Sequence, residues 1–298
     1  MNISDLKAFV SVAQHHSFSQ AAEQLHITQP AISKRIAALE SSLDARLFDR
    51  IGRSVKLTTA GSALLPHARK ILLEVRDSQR AIRNLSGEVS GQLSIGTSHH
   101  IGLHRLPSVL KSFNQTHTAV QLDLHFLDSE AACREVEQAN LELAVVTLPP
   151  LDIDENHSAL TLIPIWHDPL VLVTSHDHPL CALPQISDTD LLKHTAILPS
   201  HGTFTRTLID QHFKQQTQPL EINLETNYLE TIKMLVSIGQ GWSILPETLI
   251  DETLHQHQGH LSAQRTLGIA HHQKRTLSNA AQAFIEACKI NVQKSNLD

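Results

Sequence analysis

Leu6, Phe9, Val10 and Ala13 recur at three- and four-residue intervals, the spacing of one face of a helix. The run from Ser17 to Leu25 predicts a second helix, with Ala22 and Leu25 inward and Ser19 as its cap. Ala22 stands three residues after Ser19, where a full capping box needs an acid or amide. His26, Ile27 and Thr28 form a short turn. A third helix follows, with Thr28 as N-cap and Gln29 and Pro30 in the first turn, where proline costs least. Ala31, Ile32, Ile36, Leu39 and Leu43 pack inward and leave Ser33, Lys34 and Arg35 near the exposed end. Val55 and Leu57 then alternate as in a short strand, and Gly52 suits the turn before it. From Thr59 the period returns to helical: Leu64, Ala68, Ile71, Leu72, Val75, Ile82 and Leu85 form one stripe, with Pro66 bending the helix slightly and Gly87 as its C′ residue.

A short helix, a tight turn and a helix that opens with small polar and basic residues describe a helix-turn-helix, whose second helix enters the major groove. Gln29 and Ser33 suit base edges, and Lys34 and Arg35 suit phosphate or guanine. The strand pair reads as a wing that carries Arg50, Arg53 and Lys56 to the backbone. The same spacing also suits a plain three-helix bundle with a solvated basic face. A single apolar stripe on so long a helix calls for a partner, with a second copy of the chain favoured over its own core; Leu72 and Val75 are the expected seam.

Beyond residue 90, short β-rich runs alternate with amphipathic stretches, as in a parallel α/β sheet. Charge divides at the same place. Residues 1–90 hold 12 Lys and Arg against 8 Asp and Glu, so a net charge of −6 for the chain leaves −10 on the remainder. Only the first part is suited to a polyanion. The start of the chain lacks a basic segment followed by an apolar run, and no stretch approaches the ~18 apolar residues of a membrane span. Cys133, Cys181 and Cys288 are scattered, which argues against a disulfide framework. A cytoplasmic location, with no membrane partner, is the expectation.

These residues strongly resemble the LysR-type transcriptional regulators. Phe18 to Leu25 matches the family's first helix of the motif. Thr28 to Ile36, with Leu39 and Glu40, matches its recognition helix. Leu47 to Arg50 and Leu57 to Gly61 match its wing and linker start. The resemblance implies an all-α winged helix-turn-helix over residues 1–58, a linker dimerisation helix over 59–90, and an effector-binding domain over 91–298. That domain would be periplasmic-binding-protein-like α/β, with subdomain I at about 91–162 and 267–298 and subdomain II at about 163–266. Gly91 to Gly96 would be its first strand and Leu141 to Val146 a later buried one. Leu170 to Val173 would begin the second subdomain, Gly239 to Pro246 the return crossing, and Leu277 to Ile285 the last helix. The implied partners are double-stranded DNA bearing an inverted-repeat operator, a small-molecule effector, and further copies of the chain as a dimer or tetramer. RNA polymerase is a further implied partner. No cofactor is expected.

Open α/β sheets bind ligands beyond the carboxyl ends of their strands. The first strand ends in Thr97, Ser98, His99 and His100, and a helix begins near Ile101, so an anion suits this helix start. By resemblance Thr97, Ser98 and His100 line one side of a cleft with His99 beside them, Thr147 lies after the buried strand, and Gly202 and Thr203 belong to the facing loop. Helix capping and turn chemistry are the plainer roles for Ser98 and Thr147. The stretch from Gly96 to Pro107 also resembles members concerned with sulfur assimilation or carbon fixation, but these lack the histidines placed here at 99 and 100.

The chain holds 21 histidines, among them His176/His178, His255/His257/His260 and His271/His272. They are spread over several segments, and no cysteine is at ligand spacing beside them, so surface composition is favoured and no metal is expected. Cys133 has only Arg134 as a basic neighbour, which is weak support for a redox switch. An enzyme is the first rival, but GxSxG, HExxH, Walker and post-strand GxGxxG motifs are all missing. A solute-binding transport protein is the second, and the helix-turn-helix counts against it.

Overall fold

The computed structural model describes residues 1–51, 54–150, 159–213, 220–257 and 263–295. Gly52, Arg53 and His260 lie outside these, as does the side chain of Arg50. The chain divides into two compact units, Met1–Ser86 and Gly87–Asp298.

The first unit packs α1 (Ile3–His15), α2 (Phe18–Gln24) and α3 (Gln29–Leu43) around Leu6, Phe9, Ile32, Ile36 and Leu39. Thr28 caps α3 as its sequence suggests, its side chain accepting from the Ala31 N–H. The cap of α2 is Ser17 and not Ser19: its side chain accepts from the Gln20 N–H. The reason is phase, since starting the helix two residues earlier buries Phe18 at its first position. A hairpin of β1 (Phe48–Ile51) and β2 (Ser54–Leu57) follows, with Phe48 opposite Leu57 and Asp49 opposite Lys56. Glu40 on α3 fixes the approach to this hairpin, accepting from the Leu47 N–H at 2.7 Å.

The long helix α4 (Thr59–Asn84) is capped by Thr58 and contains Pro66. It ends with Leu85 as C-cap, so the left-handed Gly87 (φ 69°) falls two residues beyond the cap and not directly after it. Leu72 is only 5% exposed and belongs to the core of its own unit, together with Ala68 and the flanking Leu64 and Ile71. It is therefore not the open seam that the stripe suggests. The outer stripe remains free, with Ile82 at 70% and Leu85 at 86% exposure.

The second unit is built on a seven-stranded sheet that is mixed, not parallel. β3 (Gly91–Thr97) runs parallel to β4 (Val120–Phe126) and β5 (Leu143–Thr147). The long β11 (Ala263–His272) is antiparallel to both β5 and β6 (Leu160–Thr174). β9 (Ser243–Pro246) and β10 (His255–His257) complete it against β6. Leu170–Val173 is thus the far end of a 15-residue strand and not the start of an element. Pro164 and Pro169 are accommodated within it, Pro164 opposite Gly268 at a register shift where the ladder is already irregular. A parallel pair, β7 (Ala196–Leu198) with β8 (Ile222–Glu225), forms a separate small sheet. Seven helices serve this unit's described residues: α5 (His99–His104), α6 (Leu106–Thr116), α7 (Ser129–Glu137), α8 (Asp188–Leu191), α9 (Phe204–Phe213), α10 (Leu229–Ser237) and α11 (Asn279–Ser295). Trp242 is wholly buried, and its Nε1 donates to the carbonyls of Leu191 and His194.

Candidate functional site

In the first unit, α3 presents its opening turn to solvent. Gln29, Pro30 and Lys34 are exposed, Ser33 and Arg35 are half-buried, and Gln29 Nε2 donates to Ser33 Oγ at 3.0 Å. That bond holds the two base-reading candidates together one turn apart. Lys56 is exposed on the wing. The backbone of Arg50 lies in β1 opposite Val55.

The cleft of the second unit forms where strand ends feed helix starts. β3 leads into α5 and β4 into α7. β7 leads into α9 and β8 into α10. This is where an open α/β arrangement directs unsatisfied N–H groups toward a ligand. Ser98, His99, His100, Asp128, Ser129, Glu130 and Thr147 line one wall, with Thr203, Thr205, Asn227, Tyr228 and Arg265 across from them. Ser98 both lines the cleft and caps α5, accepting from the Ile101 N–H at 3.5 Å, and α5 accordingly begins at His99, two residues before Ile101. Thr147 is buried at the end of β5, and its N–H donates to Ser129 Oγ at 3.1 Å.

Two of the expected residues are not brought to this lining. Thr97 is fully buried and donates its hydroxyl to the Val145 carbonyl at 2.8 Å, so it closes the sheet. Gly202 (φ 85°) shapes the turn that delivers Thr203 but does not itself line the cleft.

Sequence reasoning missed the cleft's charged floor. Arg265 on β11 faces Asp168 on β6 as its ladder partner, with Nε 2.7 Å from Oδ2. Arg265 Nη1 donates to Thr205 Oγ1 at 3.0 Å, and Arg105 Nη2 reaches Asp168 Oδ1 at 2.8 Å. Burial pushes the Asp168 carboxyl up, but Arg265 and Arg105 outweigh it and hold the group below its ordinary value. Arg265 Nη2 is buried and finds no hydrogen-bond partner among the described residues. Neither do the two ring nitrogens of His100, which lie 3.9 Å from Asp168 and 3.7 Å from Glu230. Burial lowers the His100 pKa from 6.5, so the ring is neutral near neutral pH.

Acids from one wall reach N–H groups of the other. Glu130 accepts from the Phe204 N–H at the start of α9 at 2.5 Å, and Asp128 accepts from Asn227 Nδ2 at 2.9 Å. Burial raises the Glu130 pKa. Cys133, by contrast, is fully buried with its thiol pushed up to about 12, which removes it as a redox switch.

Comparison with known proteins places these two units. The family model described as "LysR substrate binding domain" matches residues 86–293, and the one described as "Bacterial regulatory helix-turn-helix protein, lysR family" matches residues 3–62. A probable RuBisCO transcriptional regulator from Nostoc sp. is 31% identical over 293 residues, 95% of this chain and 86% of that one. An uncharacterized HTH-type transcriptional regulator from Azotobacter vinelandii is 62% identical over 107 residues, 36% of this chain and 74% of that one. Among solved structures, a full-length OxyR variant from Pseudomonas aeruginosa shares the fold at a TM-score of 0.70 and 22% identity, over 97% of this chain and 98% of that one. No helix among the described residues is long and apolar enough to cross a membrane. With residues 3–62 and 86–293 matched by the two domains of one family, the chain belongs to the LysR-type transcriptional regulators, DNA-binding regulators with an effector-binding domain, and is not an enzyme.

Proposed function

We propose that a small polar effector with an anionic end binds in this cleft and controls how the protein engages DNA. The observation that carries the reading is Arg265. Asp168 and Thr205 occupy its Nε and Nη1, leaving Nη2 as a buried donor at the cleft. A carboxylate or phosphate oxygen supplies what that donor lacks, and His100, Ser98, Thr147 and Thr203 stand around it as further hydrogen-bonding groups. Asp128 and Glu130 suit the opposite end of such a ligand, a hydroxyl or amine that donates.

The ligand bridges subdomain I (about 91–162 and 267–298) and subdomain II (about 163–266). It shifts their relative orientation only as far as its affinities for the two arrangements differ. The heads then read an inverted-repeat operator as a dimer joined through the outer stripe of α4 at Ile82 and Leu85, with RNA polymerase as a further partner. In each head, Gln29 and Ser33 read base edges while Lys34, Arg35, Arg50, Arg53 and Lys56 hold phosphate.

The test is a side-by-side measurement of operator affinity and effector response. Hydroxylated carboxylates and sugar phosphates are screened on the full chain by thermal shift. A true ligand at 100 times its Kd adds ~2.7 kcal/mol to stability. Thr147→Val then loses response while keeping effector-free operator binding. A ligand whose affinity is unchanged in both Thr147→Val and Ser98→Ala binds elsewhere and overturns the reading.

A further inference from the structure

We propose that Cys181, His255 and His257 form a binding site for a borderline-soft divalent cation of the zinc class, separate from the effector cleft. One ligand atom from each of the three lies within 4.8 Å of the other two. Tetrahedral zinc bound by one thiolate and two imidazoles needs its donors roughly 3.3–3.6 Å apart, so closure asks for a contraction of up to about 1.5 Å. That is within reach of side-chain rotation, since all three residues are only half-buried.

The fold assembles this set from distant segments. His255 and His257 alternate with Gln256 on β10, and the two-residue period puts both imidazoles on one face of the strand. Their rings lie 4.6 Å apart between centroids. Antiparallel pairing sets His255 opposite Thr174 and His257 opposite Leu172 at the end of β6. The chain then turns back through the 3-10 turn Pro179–Ala182, which brings Cys181 to the same place, its Sγ 3.4 Å from the Ser175 carbonyl. The thiol is 74 residues from His255 in the sequence, which is why ligand spacing along the chain does not reveal it.

An outer shell is also present. The wholly buried Thr174 places its hydroxyl 2.8 Å from His257 Nε2 and 3.4 Å from Cys181 Sγ. Metal-ligating imidazoles usually hold their second nitrogen in such a bond, which orients the ring. His176 lies outside the set of three whose ligand atoms are mutually within 4.8 Å, and its Nε2 lies on the Glu252 carbonyl at 3.0 Å. Among the described residues these three protein donors leave a fourth position for water. One thiolate with two imidazoles selects zinc, and cobalt(II) as its spectroscopic substitute, over the hard cations magnesium and calcium. None of Thr174, Cys181, His255 and His257 lines the cleft, so this input is independent of the effector. Bound metal would tie β10 and the turn at Cys181 to the end of β6.

The probe is cobalt(II), titrated into untagged, chelator-treated full-length protein under reducing conditions and then displaced by zinc(II). The expected result is one equivalent of cobalt with a thiolate-to-metal charge-transfer band and tetrahedral visible absorption, both lost on adding zinc. Cys133 and Cys288 do not compete for the metal, because both side chains are fully buried in the core. Cys181→Ser should abolish the band and weaken zinc binding by at least ~10-fold, the lower bound for losing even an outer-shell partner. His255→Gln should shift the visible spectrum and weaken binding comparably. An unchanged calorimetric transition of the second unit confirms that each variant is folded. Absence of the charge-transfer band overturns the proposal. So does metal bound through nitrogen and oxygen alone with an affinity unchanged in Cys181→Ser, which would move the site to a cluster such as His100, His104 and Glu230.

Discussion

Arg265 and Asp168 are direct cross-strand partners on β11 and β6, and neither side chain is more than 4% exposed. A buried pair of this kind is costly to desolvate and costlier to break, so it is weak evidence for stability by itself. Its consequence here is orientation. Asp168 fixes Arg265 Nε, Thr205 fixes Nη1, and the planar fork then holds Nη2 in one place at the cleft.

Arg265→Lys separates the two roles. The ammonium keeps a positive charge beside Asp168 while the fixed Nη2 donor is lost. The expected effect is a loss of about 1.5–3 kcal/mol in binding an anionic effector, roughly 10- to 150-fold in Kd. Effector-free operator affinity should not change, because Arg265 belongs to the other unit. Isothermal titration of the effector, with operator binding as the control, decides it. Equal effector affinity in both proteins would remove Arg265 from the site.

Gly61→Ala should disable the DNA-binding head without touching the effector unit. An added Cβ would lie 2.2 Å from the Leu47 carbonyl oxygen and 2.9 Å from Leu57 Cδ2. Leu47 cannot give way freely, since its N–H is held by Glu40 and its carbonyl accepts from the Thr58 N–H at 3.0 Å. The start of α4 must back away from the wing, at an overpacking cost of about 1–3 kcal/mol or more. Calorimetry should show the transition of the first unit falling while that of the second stays in place. A head melting at the wild-type temperature would mean that α4 can shift at no cost.

Leu72 and Ile82 lie on one helix, yet their substitution by Asp should give different failures. Leu72 is buried against the core of its own head, so an unpaired carboxylate there unfolds the head. Ile82 is 70% exposed within the chain, so Ile82→Asp leaves the head folded. It should still weaken self-association and, with it, binding to a two-half-site operator. Circular dichroism and sedimentation velocity read the two effects separately. An oligomer unchanged in Ile82→Asp would place the chain's self-association elsewhere.

The head was legible because its signals are local. The Thr28 cap, Pro30 in the first turn and the inward spacing of Ile32, Ile36 and Leu39 all lie within twelve residues, and each is present in α3. Ser17 and Ser19 show the limit of such reading. Two equally good caps lie two residues apart, and only the tertiary burial of Phe18 decides between them. The stripe on α4 hid its division into core and surface for the same reason. In the second unit, Ser98, Thr147 and Thr203 were accessible from their places at strand ends and helix starts. Arg265 and Asp168 were not, because a lone arginine and a lone aspartate 97 residues apart carry no spacing signal until the β6–β11 register is known. Pro164 and Pro169 further concealed the length of β6, since prolines usually argue against an internal strand.

Protonation of His100 gives the last prediction, and its sign follows from burial. Burial lowers the folded-state pKa from 6.5; Glu230 and Asp168 pull it upward, while Arg265 and His104 add to the lowering. The unfolded chain therefore takes up its proton first as pH falls. Between 6.5 and the lower folded value the unfolded state binds more protons, so stability must decrease with falling pH across that window. Below the folded value both states are protonated and the penalty is constant. Unfolding of wild type and His100→Asn, followed across this range, isolates the contribution of His100 together with its coupling to His104, because the histidines not coupled to it cancel in the difference. The wild type should lose more stability on acidification. An anionic effector reverses the local balance by favouring the charged imidazole. Its binding should accordingly take up a proton in the wild type near the lower end of the window, and not in His100→Asn. Titration calorimetry in buffers of different ionisation enthalpy measures that uptake directly. Equal uptake by both proteins would show that the effector does not contact His100.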